Sequence, residues 1–487
     1  MDGNRVVVGI DLGTQGVRVM AFRPDGILVT SEHTRLTGNY PDLPPGWHQQ
    51  NPEEWWQAVV SCLQKSSLSW PTGTSVDALC VTSTSGSLVA LDRSGQPLYP
   101  AIMYNDNRSH SYVAEVQAAG VEIEKKLGYA FNTSFALPKI VWLAREQPEV
   151  FSKARYLVSP TDFITGRLGA DYNHSDTSNA LKTGYDLLAD EWPGFIQRDL
   201  NIPLERLPQV CLPGKVIGKI SNSGARQSGL LKGTPLIAGA TDGVAAQIAS
   251  GALTPGAWNS ALGTTLVIKG ITENLLVDPQ QRIYCHRHPA GWWMPGGASN
   301  TGAEWIKVEF SDQDPSMLDQ LAEGLVPTRI TRYPLARKGE RFPFFAPQAQ
   351  GFCIGEPGSQ LEAFAAGLEG LAMLERMAYE TLSQIGAQVS ENIYITGGGA
   401  RSDLWSTIRA STLQRTLVRP AIRETAMGAA LLAASAVWYG DLSEAARRIV
   451  RYDREFEPQV RLHENYQEKY GRFKHEMQLR GYYSSPS

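Results

Sequence analysis

Two acids stand at the ends of apolar runs, with short glycine- and threonine-rich loops close by. Asp11 closes the run Val6-Val7-Val8-Gly9-Ile10 and is followed by Gly13-Thr14-Gln15-Gly16. Asp242 closes Leu236-Ile237-Ala238-Gly239-Ala240-Thr241 and is followed by Gly243. A carboxylate at the end of an otherwise apolar strand needs a partner, most simply a hydrated Mg²⁺ or a loop amide. Small-residue loops after a strand expose backbone N–H groups with no Cβ in the way, which suits anions such as phosphates. Gly263-Thr264-Thr265 and Gly397-Gly398-Gly399 repeat that design. Each loop alone is equally what a tight turn requires, because glycine adopts positive φ at no steric cost. Three such loops with two acids close by in sequence point instead to phosphoryl chemistry, with Asp242 suited to take the proton of an attacking hydroxyl.

Other chemistries fail on their own requirements. A Walker loop needs Gly-Lys followed by Ser or Thr, whereas Gly214-Lys215 precedes Val216 and Gly218-Lys219 precedes Ile220. Gly397-Gly398-Gly399-Ala400-Arg401-Ser402 lacks the last glycine of a dinucleotide fingerprint. Ser85 has serines where a nucleophile elbow has glycines. Cys285-His286-Arg287-His288 has no second pair at zinc-like spacing and reads as a strand of half-buried polar groups. With 45 basic and 49 acidic residues among 487, the net charge is −4, leaving no electrostatic footprint for nucleic acid or an anionic membrane. The apolar stretch Ala426 to Val437 is too short to span a bilayer, and the run from Val6 too short for a signal-peptide core. Five scattered cysteines fit free thiols in a reducing, cytoplasmic setting.

The elements that must carry these residues can be read from periodicity. Val6–Leu12, Val17–Phe22 and Ile27–Thr30 form a meander punctuated by glycine turns. Asn51-Pro52-Glu53-Glu54 starts a helix, whose apolar stripe is Trp55, Trp56, Val59, Val60 and Leu63. Trp47, on a Pro- and Gly-rich loop, is a candidate substrate wall, with packing the commoner role for such a residue. Trp258–Leu262, the Gly-Thr turn and Leu266–Lys269 repeat the opening pattern about 250 residues later, which suggests two halves of one design. Ser359–Gln384 is helical by spacing, Asn392–Thr396 is a strand, and the charged segment after 440 forms a docked helix. The expected division is 1–243, 244–440 and a helical tail at 441–487.

In this order, the segments resemble the FGGY carbohydrate kinases of the actin-like, ribonuclease-H-like superfamily. Ile10 to Gly16 is similar to that family's first phosphate segment, and Leu262 to Thr265 to its second. Gly46-Trp47-His48-Gln49-Gln50-Asn51-Pro52, with Trp55-Trp56, resembles its Gly-Trp-x-x-Gln-x-Pro segment. Ala240-Thr241-Asp242-Gly243 sits where the family carries its catalytic Asp, and Gly339-Glu340-Arg341-Phe342-Pro343 is similar to a recurring family stretch. Thr396 to Ser402, with Glu424 to Ala430, resembles the adenosine site.

The resemblance implies an α/β chain of two actin-like domains around an ATP and sugar cleft. It further implies ATP contacts from Gly13, Thr14, Gln15, Gly263, Thr264, Thr265, Gly397, Gly398, Gly399 and Ser402. Asp11 and Asp242 are the implied catalytic and Mg²⁺-site acids, Asp242 also touching the sugar hydroxyl. Ser83-Thr84-Ser85-Gly86-Ser87 replaces the Met-His-Gly of many xylulokinases and, with Asn179 to Asp186, looks like members proposed to act on D-ribulose. The Arg-Glu pair of glycerol kinase is missing. Met103 to Arg108 resembles the sugar-side Trp-Asn-Asp-x-Arg segment, making Ser85, Asn105 and Asp106 candidate hydroxyl contacts. The expected substrate is a ketopentose, D-ribulose before D-xylulose, with a homodimer compatible with these features. A kinase for another polyol or ketose, an actin-like assembly or chaperone ATPase, and a sugar-sensing relative are the rival readings.

Overall fold

A computed structural model describes residues 4–483. The chain forms two compact units. The first contains residues up to Gly251, His286–Trp292 and Glu424–Val450; the second contains Ala252–Cys285, Trp293–Arg423 and the residues from Arg451 onward. These units do not follow the expected boundary at 440. The segment Glu424–Val450 returns to the first unit, while the final strand and helix belong to the second.

The first unit is built on a six-stranded sheet of β1 (Arg5–Gly13), β2 (Gly16–Phe22), β3 (Leu28–Arg35), β4 (Ser75–Ser83), β5 (Val216–Lys219) and β6 (Pro235–Thr241), in the order β5-β6-β4-β1-β2-β3. β1 pairs antiparallel with β2 and parallel with β4, and β6 pairs parallel with β4. The apolar runs seen in the sequence account for this placement, since a central strand buried on both faces has no polar side to alternate with. Val6, Val8, Ile10 and Leu12 lie in the unit's core with Trp55, Trp56, Val59 and Leu63 of the helix Pro52–Leu68. That helix begins as its sequence dictates: Asn51 Oδ1 accepts from Glu53 N at 3.0 Å, and Pro52 occupies the first turn.

The helix Thr425–Ala434 is fully buried from Ala426 to Ala434 and lies against β1. Small residues permit this approach. A methyl group at Gly9 would stand 1.9 Å from the Ala426 carbonyl oxygen, and one at Gly428 would stand 2.0 Å from that of Ala245. The alanine-rich run is therefore a core helix, in keeping with its being apolar on every face.

The second unit repeats the plan with β7 (Trp258–Leu262), β8 (Leu266–Gly270), β9 (Ile283–Arg287, of which Ile283 to Cys285 belong to this unit), β10 (Trp293–Ala298), β11 (Asn392–Thr396), β12 (Thr416–Pro420) and β13 (Tyr452–Phe456), ordered β9-β10-β8-β7-β11-β12-β13. β7 pairs antiparallel with β8 and parallel with β11, and β12 extends the parallel part. The series β3-β2-β1-β4-β6-β5 thus corresponds to β10-β8-β7-β11-β12-β13, which is the duplication that the repeated Gly-Thr turns suggested. Ser359 caps the long helix Gln360–Gln384 by accepting from Glu362 N at 3.1 Å. The charged tail supplies Val460–Leu479, whose Leu462, Tyr466, Tyr470, Phe473 and Met477 enter the second core.

Candidate active site

In the first unit, Gly13 pairs across to Gly16, leaving Thr14 and Gln15 at the tip of a two-residue turn between β1 and β2. Gln50 fixes that turn from below: its Nε2 donates to the Thr14 carbonyl at 2.9 Å, and its Oε1 accepts from Trp55 Nε1 at 2.8 Å. Gln50 is fully buried, so both bonds are kept away from competing water. The Gly46–Pro52 segment thus reaches the Gly13–Gly16 turn through the Gln50 side chain.

Asp11 sits on β1, opposite Arg18 of β2 and Thr82 of β4. Its Oδ1 is buried without a hydrogen-bond partner. Burial, then the nearby charge of Asp242, push its carboxyl up to about 7, with Arg18 pulling the other way. Asp242 opens the helix Asp242–Ala249 directly after β6, and its Oδ1 accepts from Gly243 N at 2.7 Å. The structure thus brings the two sequence-selected acids together. An orphaned buried carboxylate oxygen with a second carboxylate close enough to raise its pKa is a donor set that fits a hard cation such as Mg²⁺, which takes one or two carboxylates and completes its shell with water and phosphate oxygens. No group of three or more His, Cys, Asp and Glu side chains suited to a metal exists among the described residues. Cys285 donates instead to the Leu276 carbonyl at 3.3 Å, and His288 Nδ1 accepts from Ala290 N at 3.0 Å.

On the 103–108 segment, Asp106 is fully buried and its oxygens are taken. It accepts from His48 N at 2.6 Å, Arg108 N and Nε at 2.8 Å, and Arg108 Nη2 at 2.7 Å. The Arg108 guanidinium lies 3.8 Å from the Trp47 ring centroid, and Trp47 meets Trp142 edge-on at 5.6 Å. Trp47 is thereby a packing residue of this knot. Asp106, expected to contact a hydroxyl, holds the loop that presents exposed Asn105, while Ser85 is half-buried. Lys139, fully buried nearby, donates to the Phe135 carbonyl at 2.9 Å, and burial pushes its amine down to about 7.

In the second unit, the equivalent turn is Gly263-Thr264-Thr265, with Thr264 exposed at its tip. Gly397, at φ +80°, and Gly399 lie against Leu262, immediately before that turn. A methyl group at either would stand 2.5 Å from Leu262 atoms, whereas one at Gly398 would meet nothing within 4 Å. Gly398, Gly399 and Ser402 line a cavity of about 990 Å³ with Ala303, Asp319 and Asp403. That is the size range of ligand sites. Burial pushes the Asp319 carboxyl up, offset in part by its hydrogen bond with Ser402.

Sequence reasoning missed what supports this turn. Glu340 is buried and accepts from Ser299 Oγ (2.8 Å), Asn300 N (2.6 Å), Thr301 Oγ1 (2.7 Å), Tyr333 OH (2.9 Å) and Arg341 N (2.9 Å). Thr301 O in turn accepts from Leu266 N at 2.9 Å, and Ala303 N donates to Gly263 O at 2.8 Å. Glu375 and Arg409, both fully buried, grip Ser260 of β7 with bonds of 2.5 and 3.0 Å. A charged residue inside a helix that is otherwise buried, as Glu375 is, was the available signal.

Each unit carries the ribonuclease-H-like sheet plan and a Gly-Thr turn, the first with two neighbouring acids and the second with a cavity of nucleotide size, which are the parts of an ATP-dependent phosphotransferase. The chain belongs to the FGGY family of carbohydrate kinases, matching the family's N-terminal domain over residues 6–249 and its C-terminal domain over 259–437. It is 27% identical over 448 residues to the gluconokinase of Bacillus subtilis (88% of this chain, 86% of that one). It is 26% identical over 418 residues to the xylulose kinase of Escherichia coli (83% and 84%). The structure of a xylulose kinase from Rhodospirillum rubrum superposes with a TM-score of 0.88 at 25% identity, covering 98% of this chain and 99% of that one. The protein is an ATP-dependent carbohydrate kinase that binds a sugar and ATP. No helix among the described residues is long and apolar enough to cross a membrane.

Proposed function

We propose that the chain transfers the γ-phosphoryl group of ATP to a terminal hydroxyl of a ketopentose, D-ribulose in preference to D-xylulose. The observation that carries the chemistry is the buried, partnerless Asp11 Oδ1 beside Asp242. Asp242 orients the sugar hydroxyl and accepts its proton as the oxygen attacks phosphorus. Asp11, with Asp242, holds the Mg²⁺ of the nucleotide, which when bound neutralises charge on the transferring phosphoryl group. In the first unit the amides of the 13–16 turn are phosphate contacts; in the second, the amides of the 263–265 turn are phosphate contacts and Gly397 to Gly399 with Ser402 hold the nucleoside. In-line positioning and charge neutralisation are most of what this transfer requires.

Two sequence segments support D-ribulose, Ser83–Ser87 and Asn179–Asp186. Their Gly86, Ser87, Asn179 and Thr183 line one small cavity, so they act on a common region. Asn105 and Ser85 are the hydroxyl contacts in this reading, and Asp106 with Arg108 positions the loop of Asn105. Free thiols throughout fit a cytoplasmic enzyme. A coupled ADP-release assay on D-ribulose, D-xylulose, L-ribulose, gluconate and glycerol tests the substrate. D-ribulose is expected to give the highest kcat/KM; a higher value for gluconate overturns the ketopentose assignment, and no sugar stimulation at all overturns the acceptor chemistry.

A further inference from the structure

The placement of the Asp242 carboxylate depends in part on the strand end that precedes it, and that end is irregular. The pairing of β6 with β4 slips between Ile237 and Ala240 and resumes only for the last two residues, Ala240 opposite Thr82 and Thr241 opposite Ser83, so a short stretch of ladder holds the strand end. Thr241, at the cap position of the following helix, makes no side-chain capping bond. Two buried side chains grip the single peptide plane between Ala240 and Thr241 instead. Thr82 Oγ1 donates to the Ala240 carbonyl at 2.6 Å, and Thr241 N donates to Ser178 Oγ at 2.8 Å.

The Ser178 hydroxyl has one proton, and Asp176 takes it: Ser178 Oγ donates to Asp176 Oδ1 at 2.5 Å. A lone pair of Ser178 is thereby held facing Thr241 N. Asp176 is itself immobilised by Ser178 N (2.8 Å), Asn179 N (3.1 Å) and Asn179 Nδ2 (2.6 Å). All four side chains are at most 4% exposed, so water does not substitute for a lost member. Because the peptide group is planar, fixing its oxygen and its N–H together sets the direction in which the chain leaves Thr241.

We propose that Thr82 and the Asp176–Ser178 pair are positioning residues for Asp242, clamping the Ala240–Thr241 peptide so that its carboxylate meets the acceptor hydroxyl in register. This rests on the reading of Asp242 as the base. A displacement of about 1 Å is enough to cost on the order of 100-fold in rate. The test pairs Thr82→Val, which keeps shape but loses the donor, with Thr82→Ser, which keeps the donor but loses a methyl. Ser178→Ala removes the other grip, and Asp242→Asn runs as the control, all in the sugar-dependent ADP assay on active enzyme counted by nucleotide titration.

The expected result is a kcat lowered at least tenfold in Thr82→Val and Ser178→Ala, sugar and ATP KM within twofold, and kcat restored within threefold in Thr82→Ser. A role in folding alone would reduce the count of active molecules and leave kcat per active site unchanged, which overturns the proposal. So does a Thr82→Ser variant as slow as Thr82→Val. If Asp242→Asn is inactive while Thr82→Val and Ser178→Ala run at full kcat, the clamp is refuted and the base assignment stands. If Asp242→Asn is itself active, the base assignment falls and takes the clamp with it.

Discussion

Removing the Glu340 side chain should damage the Gly263–Thr265 turn, the second phosphate turn of the proposal, more than its distance along the chain suggests. Glu340 accepts from Ser299 Oγ, Asn300 N, Thr301 Oγ1, Tyr333 OH and Arg341 N, and none of the three hydroxyls is exposed. Hydrogen bonds to a charged acceptor contribute about 1.5–3 kcal/mol each, but donors sharing one acceptor are not additive. Emptying a buried charged hub costs about 3–5 kcal/mol, and for a unit of this size about 2–4 °C of Tm goes with each kcal/mol. Glu340→Ala should therefore lower the midpoint of the transition it belongs to by about 6–20 °C. Glu340→Gln should cost less, about 1–2 kcal/mol, because its amide oxygen still serves the two backbone donors and the hydroxyls can rotate to accept from its N–H groups. The consequence reaches the turn because Gly302 packs on it: a methyl there would stand 2.3 Å from the Thr264 carbonyl oxygen. Differential scanning fluorimetry with and without ADP, plus an ATP titration, reads both effects. An unshifted midpoint and unchanged nucleotide KM in Glu340→Ala would refute the hub.

Three further outcomes follow from the geometry. The proposed metal binding at Asp11 requires its ionised form, and its carboxyl is raised to about 7, so protons compete below that pH. Mg²⁺-nucleotide affinity should therefore weaken on going from pH 8 to pH 6, at most about tenfold per unit for one proton, as measured by Mg²⁺ titration of the thermal shift; a flat profile would contradict the raised carboxyl. Gly9→Ala drives a methyl onto the Ala426 carbonyl at 1.9 Å and should cost at least about 2 kcal/mol with visible loss of soluble protein, whereas full stability would contradict the close seat of the Thr425–Ala434 helix. Gly398→Ala meets no atom within 4 Å, so Tm should hold while ATP KM rises; unchanged KM would remove Gly398 from the nucleotide site.

Much of this arrangement was legible in the sequence because central strands need long apolar runs and turns need glycine. β7 and β11 fall at Trp258–Leu262 and Asn392–Thr396, as the pattern predicts, and Asn51-Pro52 starts its helix where capping chemistry places it. The repeated strand, Gly-Thr turn and strand foretold the shared sheet plan. What was illegible is long-range. Nothing local to Glu424–Val450 says that it returns to the first unit, because the information lies in the Gly9 and Gly428 contacts it makes there. The same holds for Asp106, whose motif suggested a substrate contact. Its role emerges only once His48 N and Arg108 are seen to consume its oxygens. Glu340 stood inside a recognised segment, yet its donors come from three separate stretches of chain.

The central claim is that Asp242 takes the proton of the sugar hydroxyl. It is tested most directly by kcat for D-ribulose in Asp242→Asn beside the affinity of the same variant for ATP. Positioned bases contribute about 10²–10⁴-fold, so kcat should fall by at least 100-fold while ATP affinity stays within a few-fold. A variant that turns over D-ribulose at the unsubstituted rate, with ATP bound as before, would contradict the account.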